Sequence, residues 1–187
     1  MPRLAPYSVC VYCGSRDGDD PAFVEAGRAL GAGLAARGMR LIYGAGDVGV
    51  MGAVADAAIA AGGQTLGVIP RHLQARERGK PGLTTYIATE TMHERKKVMF
   101  VNADAVVALP GGPGTLDELF EALTWRQLGL HETPIWCVNV NGYWDPLLAL
   151  VAHLHARGFC DASFPPFLGA APTVEALFEA LDAHAAA

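Results

Sequence analysis

The residues most suited to chemistry lie together in Leu109-Pro110-Gly111-Gly112-Pro113-Gly114-Thr115-Leu116-Asp117-Glu118. Gly111, Gly112 and Gly114 leave the bend without Cβ atoms, so a ligand can come close to the backbone N–H groups. Upstream, the valine-rich run 104–109 reads as a buried strand; downstream, Leu116, Leu119, Phe120 and Leu123 recur at helical spacing. The glycines therefore sit at a helix N-terminus, where unpaired N–H groups and the positive end of the dipole suit a phosphate. The loop lacks a Gly-Lys-Ser/Thr ending and so is not that of the P-loop nucleotide hydrolases. Glu118 lies one turn, roughly 5 Å, further along the helix, from where its carboxylate reaches the sugar of a bound nucleotide. A local reading stands beside this one: Thr115-x-x-Glu118 has the form of a capping box, with Thr115 as the cap and Glu118 bonding back to its N–H.

A cationic counterpart lies upstream. Thr91-Met92-His93-Glu94-Arg95-Lys96-Lys97 opens a helix and puts Arg95 and Lys96 near its N-terminus, where cations are mildly unfavourable against the dipole. A bound phosphate supplies the missing anion; a surface ion pair is the plainer alternative for Arg95. His93 has no second histidine four positions on, so the zinc-protease motif is absent. Ser15 closes the first strand at its C-terminal end, where open α/β sheets bind ligands, or else serves as a turn residue. Gly44-Ala45-Gly46-Asp47-Val48-Gly49 matches the dinucleotide fingerprint G-x-G-x-x-G, but the next strand ends in Pro70-Arg71 where an acidic residue is expected. NADP is therefore disfavoured, and Gly44 and Gly46 are read as a second glycine-lined wall of the site. Arg71, Arg76, Arg78 and Lys80 fall in a loop that is either a solvated segment or a lid over an anionic substrate. Cys10-x-x-Cys13 lies along a strand with its side chains on opposite faces, and all four cysteines read as reduced thiols.

The elements that must position these groups alternate. Strands are expected at 8–12, 40–43, 65–69, 84–88, 104–109 and 134–138, with a short edge strand after the apolar 164–167. Helices follow from Pro21, about Met51, Thr91, the central glycines, Pro146 and Thr173. This pattern predicts a single α/β domain over 1–187: a doubly wound, Rossmann-like parallel sheet with helices on both faces. A chain of 187 residues with 51% hydrophobic content can bury a sizeable core. The net charge of −5 argues against nucleic acid held on a basic surface. No apolar run is long enough to span a bilayer and the N-terminus does not read as a signal peptide, so a cytoplasmic protein is expected.

Taken in order, Gly14-Ser15, Tyr43-Gly-Ala-Gly46, Val48-Gly-Val-Met-Gly52, Gly67-Val-Ile-Pro70, Met92-His-Glu-Arg-Lys96 and Pro110-Gly-Gly-Pro-Gly-Thr-Leu-Asp-Glu118 resemble the LOG ("lonely guy") family over about 8–159. These are cytokinin riboside 5′-monophosphate phosphoribohydrolases, long mislabelled lysine decarboxylases. The resemblance implies hydrolysis of the N-glycosidic bond of AMP or an N6-modified relative to free base and ribose 5-phosphate, with no metal or organic cofactor. It implies Arg95 and Glu118 as the catalytic pair and the glycine loop with Thr115 as the phosphate site. Met92 would offer an apolar, deformable surface to the purine. A homodimer is implied too, with Trp125, Arg126 and Gln127 as candidates for its contact. Ala45 stands where the family usually has a third glycine and is expected to add a methyl beside the ligand wall. A carrier that binds a nucleotide without cleaving it, with Glu118 merely capping a helix, is the competing reading.

Overall fold

The protein is described by a computed structural model covering residues 5–73 and 80–185. The strands are β1 (Ser8–Tyr12), β2 (Arg40–Tyr43), β3 (Thr65–Pro70), β4 (Thr85–Thr89), β5 (Ala105–Ala108), β6 (Ile135–Val138) and β7 (Leu168–Ala171). Between and after them run α1 (Pro21–Ala36), α2 (Gly49–Ala60), α3 (Met92–Val101), α4 (Pro113–Gln127), α5 (Asp145–Ala156) and α6 (Val174–Ala185). All strand pairings are parallel, in the order β4-β3-β2-β1-β5-β6-β7. Parallel neighbours need long crossovers; α-helices supply them between successive strands except from β3 to β4, where the described residues hold only a 3₁₀ turn at Arg71–Leu73. No helix among the described residues is long and apolar enough to cross a membrane.

Burial follows side-chain alternation. Along β1 and the residue that follows it, Val9, Val11 and Cys13 join one core with α1, α2 and α6, while Cys10 and Tyr12 join the other with α3, α4 and α5. Every residue of β1, β3 and β5 is buried, as expected of strands covered on both faces. The two cysteines of Cys10-x-x-Cys13 thus lie on opposite sides of the sheet, and all four cysteines are free.

Strand order reverses at the centre. From β1 the chain builds outward through β2, β3 and β4, then returns to the other side of β1 with β5. In open α/β sheets the carboxyl ends of such a pair diverge into a crevice that binds ligands. Here Tyr12 aligns with Ala108, and the chains stay joined beyond the strands: the Leu109 N–H donates to the Tyr12 carbonyl at 2.9 Å and the Gly14 N–H to the Pro110 carbonyl at 3.1 Å. The loop with Ser15 and the glycine loop therefore emerge side by side.

Helix α1 starts on Asp20, whose carboxylate accepts the Ala22 N–H at 2.8 Å, with Pro21 at the first helical position and Gly38 at φ +64° beyond the end. Its interior glycines let α1 approach α2 closely. A Cβ on Gly31 would lie 2.1 Å from the Val54 carbonyl oxygen, which is backbone and cannot swing aside. Gly31→Ala therefore sets helix propensity, worth about 1 kcal/mol in favour of alanine, against overpacking that costs about 1–3 kcal/mol. The expected outcome is a net loss of stability in chemical denaturation; a gain of about 1 kcal/mol, as in an exposed helix, would contradict the close α1–α2 contact.

Candidate active site

A cavity of about 570 Å³ opens where β1 and β5 end. Its walls come from the β1 loop, the start of α2, the start of α3, the glycine loop with the first turns of α4, and Tyr143. Among the residues singled out from sequence, Ser15, Met92, Arg95, Gly111, Gly112, Gly114, Thr115 and Glu118 line it; Gly44, Gly46 and Lys96 do not.

The floor is the N-terminus of α4. Pro113 occupies the first helical position and Gly112 is the N-cap, with no side-chain cap bond. This corrects the capping-box reading: Thr115 is the third residue inside the helix, so it caps nothing, and Glu118 makes no bond back to it. The physical reason is Pro113, whose fixed φ starts the helix three residues earlier than a Thr115 cap would. The capping box belongs instead to α3, where Thr91 accepts the Glu94 N–H at 3.1 Å and Glu94 accepts the Thr91 N–H at 3.3 Å. Gly111 is glycine for packing, because a Cβ there would sit 2.1 Å from Thr115 Oγ1. Gly112 and Gly114 are different: a Cβ on either would meet nothing within 4 Å, so that space is open to a ligand.

The capped start of α3 aims Arg95 and Lys96 to different ends. Lys96 Nζ is buried and reaches α4, 3.0 Å from Asp117 and 2.9 Å from Glu121. Burial alone would lower its pKa, but the bonds to Glu121 and Asp117 outweigh it and raise the ammonium above its usual value. Lys96 thus takes its anions from the protein. Arg95 does not. Its side chain is only 6% exposed and turns toward the sheet ends, where Nε donates to the Val68 carbonyl at 3.1 Å and Nη2 to the Gly44 carbonyl at 2.7 Å. Among the described residues no carboxylate forms an ion pair with it. The surface-pair alternative for Arg95 is therefore overturned: the guanidinium is a buried cation at a cavity wall, held by two neutral carbonyls.

This also explains the second glycine loop. A Cβ on Gly44 would lie 1.9 Å from Arg95 Nη2, so the glycine makes room for the guanidinium rather than for a ligand. Ala45 adopts φ +62° and is fully buried. Its methyl packs toward Gly67 of β3, where an added Cβ would come within 3.0 Å of it, and it is not a lining atom of the cavity. The expectation that this methyl lies beside the ligand wall is corrected accordingly.

Glu118 is half-buried and makes no hydrogen bond or ion pair among the described residues. Its pKa is raised from 4.5 to about 7. Burial is the largest cause; Arg95 and Lys96 pull it down, and Asp117 and Glu121 push it up. A carboxyl poised near neutrality in a cleft beside an unpaired cation is the kind of perturbed group that functional sites build. Cys13 also lines the cavity, but burial pushes its thiol far up, which leaves it protonated and inert.

Sequence reasoning missed several wall residues: Arg16, Asp17, Asp19, Phe23, Val50, Met51 and Tyr143. Those after Ser15 were within reach of the strand-end argument that selected it. Of the charged loop, Arg71 pairs with Glu90 on the surface at 2.7 Å and Lys80 with Asp56 at 2.8 Å, both outside the cavity lining. Arg76 and Arg78 lie outside the described residues.

Comparison with known proteins identifies the family. Residues 51–181 match the protein family described as "possible lysine decarboxylase". A rice protein (Oryza sativa subsp. japonica) named as a probable cytokinin riboside 5′-monophosphate phosphoribohydrolase is 42% identical over 94% of this chain and 79% of its own length. An Arabidopsis thaliana cytokinin riboside 5′-monophosphate phosphoribohydrolase is 38% identical over 95% of this chain and 82% of its own. The chain belongs to the LOG family. Among solved structures, the molybdenum cofactor carrier protein of Chlamydomonas reinhardtii superposes with a TM-score of 0.75 at 20% identity, covering 98% of this chain and 100% of that one; at this identity the likeness shows the fold. The decarboxylase description finds no support in the three lysines of this LOG-family chain: Lys80 and Lys96 are both tied to carboxylates, and Lys97 is exposed.

The raised carboxyl has a thermodynamic consequence. An acid whose pKa rises on folding favours the native state fully below its unfolded value near 4.5, and that contribution is lost as pH rises through about 7. Glu118→Gln removes the titration. It is expected to melt like the parent near pH 4 and above it at pH 8, by about 1–3 kcal/mol once solvent at the half-buried group is allowed for. A variant that melts below the parent at pH 8 would show the carboxylate to be stabilising and contradict this assignment.

Proposed function

We propose that the protein hydrolyses the N-glycosidic bond of AMP or of N6-modified adenosine 5′-monophosphates, releasing the free base and ribose 5-phosphate. The observation that carries this reading is the pairing, in one cavity at the sheet's reversal point, of a carboxyl poised near neutrality with a buried cation that forms no ion pair among the described residues. The relatives' named activity supports it.

In this reading the phosphate docks at the N-terminus of α4. There the N–H groups of Gly112, Gly114 and Thr115 and the helix dipole favour an anion. Arg95 supplies the formal charge that the helix end lacks. The ribose then lies over Glu118, one turn along α4. Departure of the base breaks the bond between ribose C1′ and the purine nitrogen and leaves an oxocarbenium-like sugar. The Glu118 carboxylate stabilises that charge and takes a proton from the water whose oxygen adds to C1′, while the departing base is protonated from solvent. Met92 and Ser15 border the remaining space, in keeping with purine contacts.

We propose further that the chain acts in the cytoplasm as one nucleotide-binding domain over 1–187 and as a homodimer, with no nucleic-acid partner. Val101, Leu128 and Leu130, each more than 60% exposed at the ends of α3 and α4, support a subunit contact there. Of the residues suggested for it, Trp125 packs edge-on to Phe100 and Arg126 donates to the Thr133 carbonyl within the same chain. Light scattering is expected to return twice the 19.6 kDa chain mass; a mass of one chain would contradict the dimer.

Chromatography of AMP and isopentenyladenosine monophosphate after incubation with the protein tests the reaction. Free base is expected from the parent, with kcat/KM rising through about pH 7 as Glu118 ionises. Glu118→Gln is expected to bind AMP yet lose about 10²–10⁴ in rate. Tight AMP binding without base release from the parent would instead favour the carrier reading.

A further inference from the structure

The segment 139–145 does more than turn the chain from β6 into α5. Tyr143 stands in the cavity wall, and its hydroxyl donates to the Gly111 carbonyl at 2.7 Å across 32 positions of sequence. Its ring is held edge-on between Phe23, with centroids 5.1 Å apart, and Trp144, at 4.8 Å. The segment is anchored on both sides. Asn141, at φ +49°, donates its side-chain N–H to Asp20, the cap of α1, at 2.8 Å. The Asn139 side chain donates to Asp145 and accepts the Trp144 N–H, each at 2.7 Å. The net effect of these bonds is to deliver one hydroxyl to one carbonyl of the glycine loop.

A trans peptide is planar, with its C=O and N–H opposed, so fixing the Gly111 carbonyl fixes the direction of the Gly112 N–H. Glycine on both sides would otherwise let that peptide rotate freely. Its N–H also counts for more than usual, because Pro113 contributes no donor to this helix end. We infer that Tyr143 is a positioning residue: its hydroxyl orients the Gly111–Gly112 peptide so that the Gly112 N–H is presented to the phosphate of the substrate. The inference rests on the proposed placement of the phosphate at α4, and it distinguishes the phosphate end of the ligand from the base end.

Tyr143→Phe removes the hydroxyl and keeps the ring contacts, so the fold should persist with a melting temperature close to the parent's. Calorimetry with inorganic phosphate needs no turnover and tests the inference on its own. Phosphate is expected to bind about tenfold more weakly to the variant, the scale of one hydrogen bond to a charged group. In the reaction, KM for AMP and the inhibition constant of ribose 5-phosphate are expected to rise by a similar factor. The kcat and the inhibition constant of free adenine should stay within about twofold. Unchanged phosphate affinity, or an equal loss for phosphate and adenine, would overturn the inference. A parent protein that binds phosphate but releases no base would contradict the hydrolase reading and leave the positioning role of Tyr143 to be decided by the calorimetry.

Discussion

Arg95 is the constraint around which much of this protein is arranged. Arg95 is 6% exposed, and its guanidinium, with two backbone carbonyls for partners, keeps most of its charge uncompensated. Unpaired charge in a protein interior is costly unless something else provides the counter-charge. The surroundings fit that demand at several points. Gly44 lacks a Cβ because the guanidinium occupies its place. Gly44, just past β2, and Val68, within β3, turn their carbonyls toward it. The capping box at Thr91 fixes where α3 begins, and so which of its two adjacent cations enters the sheet and which leaves it.

Lys96 shows how the neighbouring cation serves a different purpose. Its links to Asp117 and Glu121 tie α3 to α4 and set the register between them. That register carries Glu118, next to Asp117 in sequence, into the cavity that Arg95 borders. The same burial that raises the Glu118 carboxyl toward neutrality makes its ionised form a net cost to folding at pH 8. Stability given up at a cleft, next to a cation that forms no ion pair among the described residues, is what pre-organisation for a charged ligand looks like in energetic terms.

Much of this was legible in the sequence, and the failures have identifiable causes. Valine-rich runs separated by helical periodicity specify the parallel sheet, and β1 and β2 fall where the pattern put them. The glycine loop, Glu118 and Arg95 were visible as chemistry because strand, turn and helix signals coincide on them. Of the two readings that Thr115 allows, the cap fails because Pro113 takes the first helical position and starts the helix upstream of it. Gly44 and Gly46 illustrate a deeper ambiguity. Sequence shows that a loop lacks side chains, not what fills the space, and here Arg95, about fifty residues later, fills it at Gly44. Tyr143 was beyond reach for the same reason: its partner is a backbone carbonyl 32 positions away.

In this structure burial beside Arg95 holds the Glu118 carboxyl near neutrality, ready to change its charge when a ligand binds. NMR titration of the side-chain carboxyl carbons of ¹³C-labelled glutamate, with Glu118 assigned from Glu118→Gln, measures this directly. A midpoint of about 7 is predicted for Glu118 in the ligand-free protein, moving higher in Arg95→Met, because Arg95 pulls it down. A midpoint near 4.5, the ordinary glutamate value, would contradict the account.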